Sequence, residues 1–392
     1  MDLQKLRNET PGCKNVAYFN NAGSALTTQH VLTKVTDYIE QESLVGGYQT
    51  AKEHQLEIDS FYEKAANLIG ATSADEIGFC TSATDGWQRV FNSIPLTKND
   101  KVIVFECEYV SFYLSLLHRQ KKLGFQIVVV PTLENGDIDL KALESSLDSN
   151  VKLILLGHMP TQSGIINPAE EIGQLIVGKN IFYILDATQT VGQIKVDVQS
   201  IGCDALCATG RKFLRGPRGT GFFYLSKKWH RQLSPATIDV CGGKWTGNES
   251  YEFYEGAKKF ETWERNYASM LGLGEAIRYL QELRIEEVEK CIKKNAMTIR
   301  EKLSHLSQVT LQDPGEKQGA IITLTVKDKN CAEIVENLRQ SGVIINYSQR
   351  EYALLDFKSR GLQDVLRVSP HYYNSLEEID QLITALSQQL GQ

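Results

Sequence analysis

The 392-residue chain contains no apolar run close to the ~20 residues that span a bilayer, and its first fifteen residues contain no apolar signal region. Proline is scarce, with nine residues, while 42% of the residues are hydrophobic, which excludes collagen-like and disordered classes. Positive charge is also in deficit, because 42 Lys and Arg stand against 48 Asp and Glu, a formal net charge of −6. These features predict a soluble, cytoplasmic, globular protein that binds neither membranes nor nucleic acid.

The eight cysteines are spread along the chain, which without a signal region predicts reduced thiols and no disulfide framework. Cys203 and Cys207 are the closest pair, but their spacing is not CxxC, and no second pair or nearby histidine completes a zinc site. We therefore expect buried core thiols here and no metal centre.

Short apolar runs between residues 76 and 225 predict buried strands, because several are β-branched throughout and do not alternate with polar residues. Amphipathic stretches long enough for crossover helices separate most of the runs, which is typical of a doubly wound α/β domain. After residue 240 a long helical region, Ala268 to Lys294, precedes a βαββα order typical of a smaller α+β domain. We expect a large domain over residues 16–260 and a small C-terminal domain over 261–392, joined by residues 1–15.

The segment CATGRKFLRGPRGTGFFYL, residues 207–225, places Lys212 between a predicted strand and a Gly/Pro-rich turn. An isolated GRK favours a solvated turn, since runs of charge usually lie on the surface. Asp186, however, follows the apolar run IFYIL and so lies at the carboxyl end of a core strand, the edge where open α/β sheets bind ligands. Burial and the neighbouring cations Arg211 and Arg215 would lower the pKa of Lys212, and a carboxylate can pair with a pyridinium nitrogen. Together these residues favour Schiff-base chemistry.

The order DATQ, TGRK and a Gly-rich turn resembles the pyridoxal-phosphate enzymes of fold type I, specifically the class V aminotransferase and cysteine desulfurase superfamily. The resemblance covers nearly the whole chain. It implies a mainly parallel seven-stranded sheet, pyridoxal 5'-phosphate bound to Lys212, Asp186 facing the pyridine nitrogen and Gln189 reaching the phenolic oxygen. It also implies a homodimer.

Other segments of the chain match the family's sequence motifs, in the same order along the chain. FCTSATDGW opens a helix after a strand, where free N–H groups and the helix dipole bind phosphate. The resemblance assigns phosphate contacts to Ser82, Ala83 and Thr84, with Thr209 and Arg211 completing the cup. Tyr109 in FECEYVSFY would stack on the cofactor ring, and Thr161 in GHMPTQSGIINP stands where many members carry Asn at the phenolic oxygen.

The resemblance also implies a substrate site for a small amino acid. Arg367 in DVLRVSPHYYN matches the arginine that pairs with the substrate carboxylate, a role suited to a bidentate guanidinium. YFNNAGSAL matches the segment that lines the substrate entrance, which assigns Asn21, Ala22 and Gly23 to it.

Two features separate the subfamilies. No cysteine lies between Gly342 and Arg367, where desulfurases carry the thiol that takes the sulfur, and Arg211 stands where they usually carry His. GRKFLRGPRGTG and KFETWERNY look more like the branch of ergothioneine-pathway C–S lyases and isopenicillin N epimerase-like proteins. These features predict β-elimination from a cysteine-derived substrate, giving pyruvate and ammonia, and argue against a desulfurase that works through a persulfide. Transamination and epimerisation on the same scaffold stay open.

Two classes of non-enzyme fit less well. A nucleotide-binding module would need GxxxxGK[ST], and GPRGTG precedes a strand where a phosphate loop precedes a helix. A nucleic-acid binder is disfavoured by the net charge of −6 and by the single isolated basic run.

Overall fold

The computed structural model describes residues 1–391, and fifteen strands run through this part of the chain. They are β1 Ala17–Tyr18, β2 Ile77–Cys80, β3 Lys101–Phe105, β4 Gln126–Val130, β5 Val151–Gly157, β6 Phe182–Asp186, β7 Ala205–Thr209, β8 Gly221–Leu225, β9 Gly243–Gly247, β10 Ser250–Phe253, β11 Val309–Leu311, β12 Ile322–Val326, β13 Val343–Ile344, β14 Asn346–Gln349 and β15 Asp364–Val368.

Fourteen α-helices lie between and around the strands within residues 1–391. They are α1 Leu3–Asn8, α2 Gln29–Val45, α3 Gly47–Glu53, α4 Gln55–Leu68, α5 Ala83–Phe91, α6 Val110–Leu123, α7 Leu140–Ser146, α8 Ala169–Leu175, α9 Val198–Ile201, α10 Tyr267–Leu283, α11 Ile285–Ser304, α12 Cys331–Gln340, α13 Leu354–Ser359 and α14 Leu376–Leu390. Over the described range, none of them is both long and apolar enough to cross a membrane.

A seven-stranded sheet in the order β2-β8-β7-β6-β5-β3-β4 forms the centre of the molecule. Only β8 runs against its neighbours, so the sheet is mainly parallel. Alternate residues of β3 and β5 enter two separate apolar cores, one on each face, which explains why these strands are hydrophobic throughout. The predicted α/β architecture of fold type I is confirmed.

A second, antiparallel sheet of β11-β12-β15-β14 follows in the C-terminal part. The N-terminal strand β1 pairs with β13, next to this sheet, and Asn20 bridges to Ser369 just after β15. The amino-terminal segment therefore connects the C-terminal sheet to the end of the central sheet. The division of the chain at residue 260 stays a prediction.

Three further local features complete the fold. The long helical region breaks at Arg284, which has φ of +65°, and α11 then continues to Ser304. Helices α2 to α4 precede the central sheet, and α10 packs on α2 and α4. A hairpin of β9 and β10 projects after the sheet, with Trp245 exposed by 81%. Helices α2, α4 and α10 contribute buried residues to one of the two main cores, whereas the hairpin is largely exposed.

Candidate active site

The carboxyl edge of the central sheet carries the predicted site. Asp186 ends β6, Thr209 ends β7 just before Lys212, and Gly157 ends β5. Parallel strands present their carboxyl ends at one edge, so residues far apart in the sequence meet there. A cavity at this edge is lined by strand ends, by turns and by the starts of α5 and α6, and its lining residues include Ser82, Ala83, Thr84, Tyr109, Thr161, Asp186, Gln189, Thr209, Arg211 and Lys212.

Lys212 lies in the turn that joins β7 to β8, and its side-chain amine has no hydrogen-bond partner among the described residues. The turn is closed by bonds from Arg215 N to Lys212 O and from Gly216 N to Gly210 O, both 2.8 Å. Burial, then Arg211 and Arg367, lower the pKa of Lys212 to about 7, while Asp186 opposes the shift. An amine with this pKa is partly deprotonated at neutral pH, and the deprotonated form is available as a nucleophile or a base.

Arg215 does not supply the positive field expected of it. Its Nε and guanidinium nitrogens donate to Leu26 O, Tyr372 Oη and Thr10 Oγ1, and the side chain is only 2% exposed. The second cation near Lys212 is Arg367, which comes from β15. The sequence expectation was wrong because it used proximity along the chain, whereas the fold turns Arg215 away from the pocket.

Asp186 lies on the floor of the cavity. Its Oδ1 accepts a hydrogen bond from Thr188 N at 2.9 Å, and Cys207 Sγ lies 3.7 Å from the same oxygen. Burial raises the pKa of Asp186, and the bonds from Thr188 and the charge of Lys212 act against that rise. A positive partner above the carboxylate, such as a pyridinium, would favour its ionised form.

A second buried acid, Glu108, was missed by the sequence reasoning. It is 6% exposed and accepts a hydrogen bond from Gly157 N at 3.0 Å, which ties the end of β3 to the end of β5. Burial, reinforced by Asp186, raises the pKa of Glu108 to about 8. Its position directly before Tyr109, after an apolar strand, was the available signal.

The start of α5 forms the opposite wall. Ser82 is the N-cap, and its hydroxyl accepts from Asp85 N at 3.1 Å, which leaves the N–H groups of the first turn directed at the cavity. Thr209 Oγ1 donates to Thr220 O at 3.2 Å and fixes the facing strand end. This arrangement suits a phosphate, because N–H groups and the helix dipole both favour an anion.

Gln189, Thr161 and Arg367 form a connected set. Gln189 Nε2 donates to Thr161 Oγ1 at 3.0 Å and to Ala22 O at 3.1 Å, and the Arg367 guanidinium donates to Thr161 Oγ1 at 2.5 Å. Gln189 Oε1 and Arg367 Nε are buried without any partner in the protein. Unsatisfied polar atoms of this kind are costly unless a ligand supplies their partners, so the pocket fits a polar cofactor and a carboxylate substrate.

The N-terminal segment lies beside the pocket, and each of its residues has different hydrogen-bond partners. The Asn21 amide donates to Ser369 O at 2.7 Å and accepts from Tyr373 Oη, so this side chain is used within the protein. Ala22 O binds Gln189 and Gly23 O accepts from Arg211. Asn20, which the sequence reasoning did not single out, lies 3.4 Å from the Arg367 guanidinium. The roles assigned to Asn21, Ala22 and Gly23 in substrate binding stay predictions.

A lysine of lowered pKa, an aspartate beside it and a helix start at the cavity wall together are typical of an enzyme that uses pyridoxal phosphate. The chain belongs to the class-V aminotransferase family, whose model matches residues 17–382. The predicted superfamily, the cofactor and enzymatic activity are thereby confirmed. The individual contacts predicted for the cofactor stay predictions.

The similar proteins are named for a different reaction from the one that the sequence analysis favoured. A probable cysteine desulfurase of Methanothermobacter thermautotrophicus is 26% identical, over 100% of this chain and 99% of its own. The structure of a cysteine desulfurase from Thermococcus onnurineus NA1 superimposes with a TM-score of 0.93 at 22% identity, covering 99% and 98% of the two chains. A variant of C-DES with glycine covalently linked to its pyridoxal phosphate has a TM-score of 0.87 at 20% identity, covering 97% and 98%.

These similarities correct the functional prediction. The sequence analysis favoured β-elimination by a C–S lyase, with an aminotransferase or epimerase as alternatives, and argued against desulfurase activity. That conclusion was wrong, because whole-length curated relatives are named cysteine desulfurases. The missing loop cysteine was given too much weight, since it concerns the sulfur acceptor and leaves the site that activates the amino acid intact.

Proposed function

We propose that this protein is a cysteine desulfurase, which takes the sulfur atom from L-cysteine and releases L-alanine. The observation that carries the proposal is the unpaired Lys212 amine, of lowered pKa, between Asp186 and Arg367 in a pocket built for pyridoxal phosphate. The names of the whole-length relatives supply the choice of substrate. The balanced reaction is L-cysteine plus a thiol R–SH giving L-alanine plus the persulfide R–S–SH.

Three residues at the pocket have defined roles in this reaction. Arg367 binds the α-carboxylate of cysteine, and its bonds to Thr161 and Asn20 fix the guanidinium plane. Lys212 removes the proton from Cα and returns protons to the product, which its pKa of about 7 permits at neutral pH. Pyridoxal phosphate would supply an electron sink when bound, and Asp186 would stabilise a positive charge on its ring nitrogen.

The phosphate of the cofactor is held, in this proposal, by the first turn of α5 and by Thr209. Tyr109 begins α6 at the cavity wall, where its ring can cover one face of the cofactor. Gln189 and Thr161 lie near each other and position the phenolic side. His158, buried and bonded to Thr190 at 3.2 Å, has a pKa lowered to about 4 by burial and so serves as a neutral support.

The sulfur acceptor R–SH comes from another molecule. The thiol that lines the cavity, Cys107, is buried, bonded by Asn167 at 3.3 Å, and has a pKa raised by burial, so it is a poor nucleophile. Cys207 lies under Asp186 and its pKa is raised in the same way. The last cysteine of the sequence, Cys331, begins α12 away from the cavity.

The test is a product assay on the purified, cofactor-loaded protein with L-cysteine and dithiothreitol as acceptor. We expect alanine and sulfide released from the persulfide in equal amounts. The Lys212→Ala variant should form neither. Pyruvate and ammonia in place of alanine, or no product with any thiol, would refute the proposal.

We further propose a homodimer with its contact on the β9–β10 hairpin. Trp245 and Tyr251 of the hairpin are exposed by 81% and 56%, and contiguous exposed apolar surface marks interaction sites. Light scattering of the full chain should give twice the monomer mass, and the Trp245→Glu variant should give a lower mass.

Three other expectations from the sequence also stay predictions. They are placement in the ergothioneine-pathway branch, the division at residue 260 and a cytoplasmic location.

A further inference from the structure

Arg367 is a buried cation that is held by neutral groups. Its Nη1 donates to Thr161 Oγ1 at 2.5 Å and its Nη2 to Asn20 Oδ1 at 3.4 Å, while its Nε has no partner in the protein. No carboxylate in the described part of the chain forms an ion pair with this guanidinium, whereas the partly buried Arg300 pairs with Asp313 at 2.5 Å. A buried charge is costly without an ionic partner, so an anion from outside completes this site.

The backbone holds Asn20 opposite Arg367. Asn20 follows β1 and forms a bridge to Ser369, which comes two residues after Arg367 as the chain leaves β15. Ser369 N donates to Phe19 O at 2.7 Å, and Gly23 N donates to Asn20 O at 3.0 Å, which closes the turn after β1. The Asn20 amide turns its oxygen to the arginine, because a guanidinium can only donate. The contact between the two side chains is therefore built into the fold.

Gly23 provides the space that the Asn20 side chain occupies. A Cβ atom at position 23 would lie 2.5 Å from Asn20 Oδ1 and 3.0 Å from Asn20 Nδ2, well inside van der Waals contact. Gly23 is not one of the glycines with positive φ, so the backbone conformation does not require a glycine here. The requirement is steric, because a methyl group at this position fits only if the Asn20 amide moves.

The neutrality of Asn20 matters because aspartate has nearly the same shape. An aspartate at position 20 would place an anionic oxygen against the Arg367 guanidinium and neutralise it. Asparagine orients the guanidinium and leaves its charge uncompensated. Burial lowers the pKa of Arg367 to about 10, as expected for a buried cation without an anionic partner.

We propose that Asn20, in the space left by Gly23, makes this site select substrates that carry a free α-carboxylate. Asn20 orients Arg367 and leaves its positive charge for the substrate, so amino acids bind, whereas their amides, their esters and peptides that continue beyond this carbonyl are rejected. Asn20 acts through Arg367 and is a positioning residue. The inference rests on the proposed function only in that it takes Arg367 as the carboxylate-binding group of that site.

The test compares the binding of an amino acid with that of its amide and requires no sulfur transfer. L-Alanine and L-alaninamide are titrated into the cofactor-loaded protein, and the visible absorbance of the cofactor reports binding. We expect the unchanged protein to prefer the acid by about tenfold to hundredfold, the range that hydrogen bonds to charged groups give. The preference is compared between variants, so the different basicity of the two amines cancels.

Two substitutions of Asn20 separate the effect of charge from the effect of packing. Asn20→Asp keeps the shape and should abolish the preference, because the new carboxylate occupies Arg367. Asn20→Ala loses one contact but leaves the arginine unneutralised, so it should reduce the preference by only about threefold. Asn99→Asp adds the same charge in the exposed turn before β3 and should keep the preference. A loss in Asn20→Ala as large as that in Asn20→Asp, or an unchanged preference in Asn20→Asp, would overturn the proposal.

Gly23→Ala tests the steric part of the proposal. It should reduce the preference as Asn20→Ala does, and the double variant should lose no more than either single variant, since both changes remove the same contact. Additive losses would refute the link between the two residues.

Two further outcomes distinguish this inference from the proposed function. Equal affinity for L-alanine and L-alaninamide in the unchanged protein would overturn the selection by Arg367 and this inference with it. A product assay in which L-cysteine gives no alanine counts against the desulfurase function alone, because the titration still decides the role of Asn20.

Discussion

Lys212 and Arg215 lie three residues apart in one turn, with Lys212 half-buried and Arg215 buried, and their surroundings shift the pKa values of the two side chains in opposite directions. Arg215 donates to Leu26 O at 2.8 Å and to Tyr372 and Thr10 at 2.6 Å, and its guanidinium lies 4.6 Å from the Tyr373 ring centre. Burial pulls the pKa of Arg215 down, but Tyr372 and Tyr373 outweigh it and the pKa is raised. Lys212 has none of these partners, and its pKa falls to about 7.

The difference distinguishes a structural cation from a reactive one. A buried charge with satisfied donors stabilises the fold around it, whereas a buried charge without partners is destabilised and therefore ready to lose its proton. Arg215 also has φ of +62°, a conformation that only its packed surroundings maintain. In this turn Arg215 therefore stabilises the backbone conformation, whereas Lys212 is the reactive residue.

The largest expected effect is on activity when the reactive cation is removed. Lys212→Ala should lower turnover by about four orders of magnitude, because both the covalent anchor and the base are lost. The visible absorbance of the bound cofactor should change at the same time. Unfolding of the cofactor-free variant should be no easier than that of the unchanged protein, and a clear loss of stability would show that Lys212 also holds the turn.

Asp186→Asn should have a smaller effect on activity, a loss of about 10²-fold in kcat, since the ring nitrogen loses its negative partner while the pocket shape is kept. The cofactor should still bind, which absorbance and fluorescence can follow. Asp204→Asn is a matched control, because this buried acid bonds Trp229 Nε1 at 2.6 Å outside the pocket. Equal losses of kcat in both variants would mean that the effect of Asp186 is structural.

Removal of the structural cation, Arg215, should lower the stability of the fold. Arg215→Leu loses three hydrogen bonds and leaves buried acceptors unpaired, which we expect to lower the free energy of unfolding by about 3 kcal/mol. Denaturant titration of the cofactor-free protein measures this change. The exposed Arg339→Leu should change it by less than about 0.5 kcal/mol. A stable, well-folded Arg215→Leu variant would remove the contrast drawn between the two cations.

Arg215 also shows which features could not be predicted from the sequence, namely contacts between distant segments. The core strands, Asp186 and Lys212 could be predicted because their signals are local: apolar runs with a polar residue at the end. The partners of Arg215 come from residues 10, 26 and 372, and nothing in the local turn indicates them. The same holds for Arg367, whose bonds to Thr161 and Asn20 join three distant segments.

Two other features, the β9–β10 hairpin and the break at Arg284, were harder still to predict from the sequence. The β9–β10 hairpin alternates little and exposes Trp245, so its hydrophobic residues do not report a buried face. The break at Arg284 depends on one residue with φ of +65° between two helices that have a continuous helical pattern. In both cases the decisive contacts lie outside the segment.

The smallest effect follows from the lowered pKa of Lys212 and concerns the pH dependence of stability. Unfolded lysine titrates near its usual value of 10.5, whereas Lys212 in the fold titrates near 7, so between these values the unfolded state binds more protons. The lysine therefore destabilises the cofactor-free fold fully below pH 7 and progressively less as the pH rises toward 10. Lys212→Met should be more stable than the unchanged protein at pH 6.5, by about 1 to 3 kcal/mol, with the difference shrinking by pH 9. Urea titrations of both proteins at the two pH values measure it, and a difference independent of pH would mean that Lys212 keeps its charge in the fold.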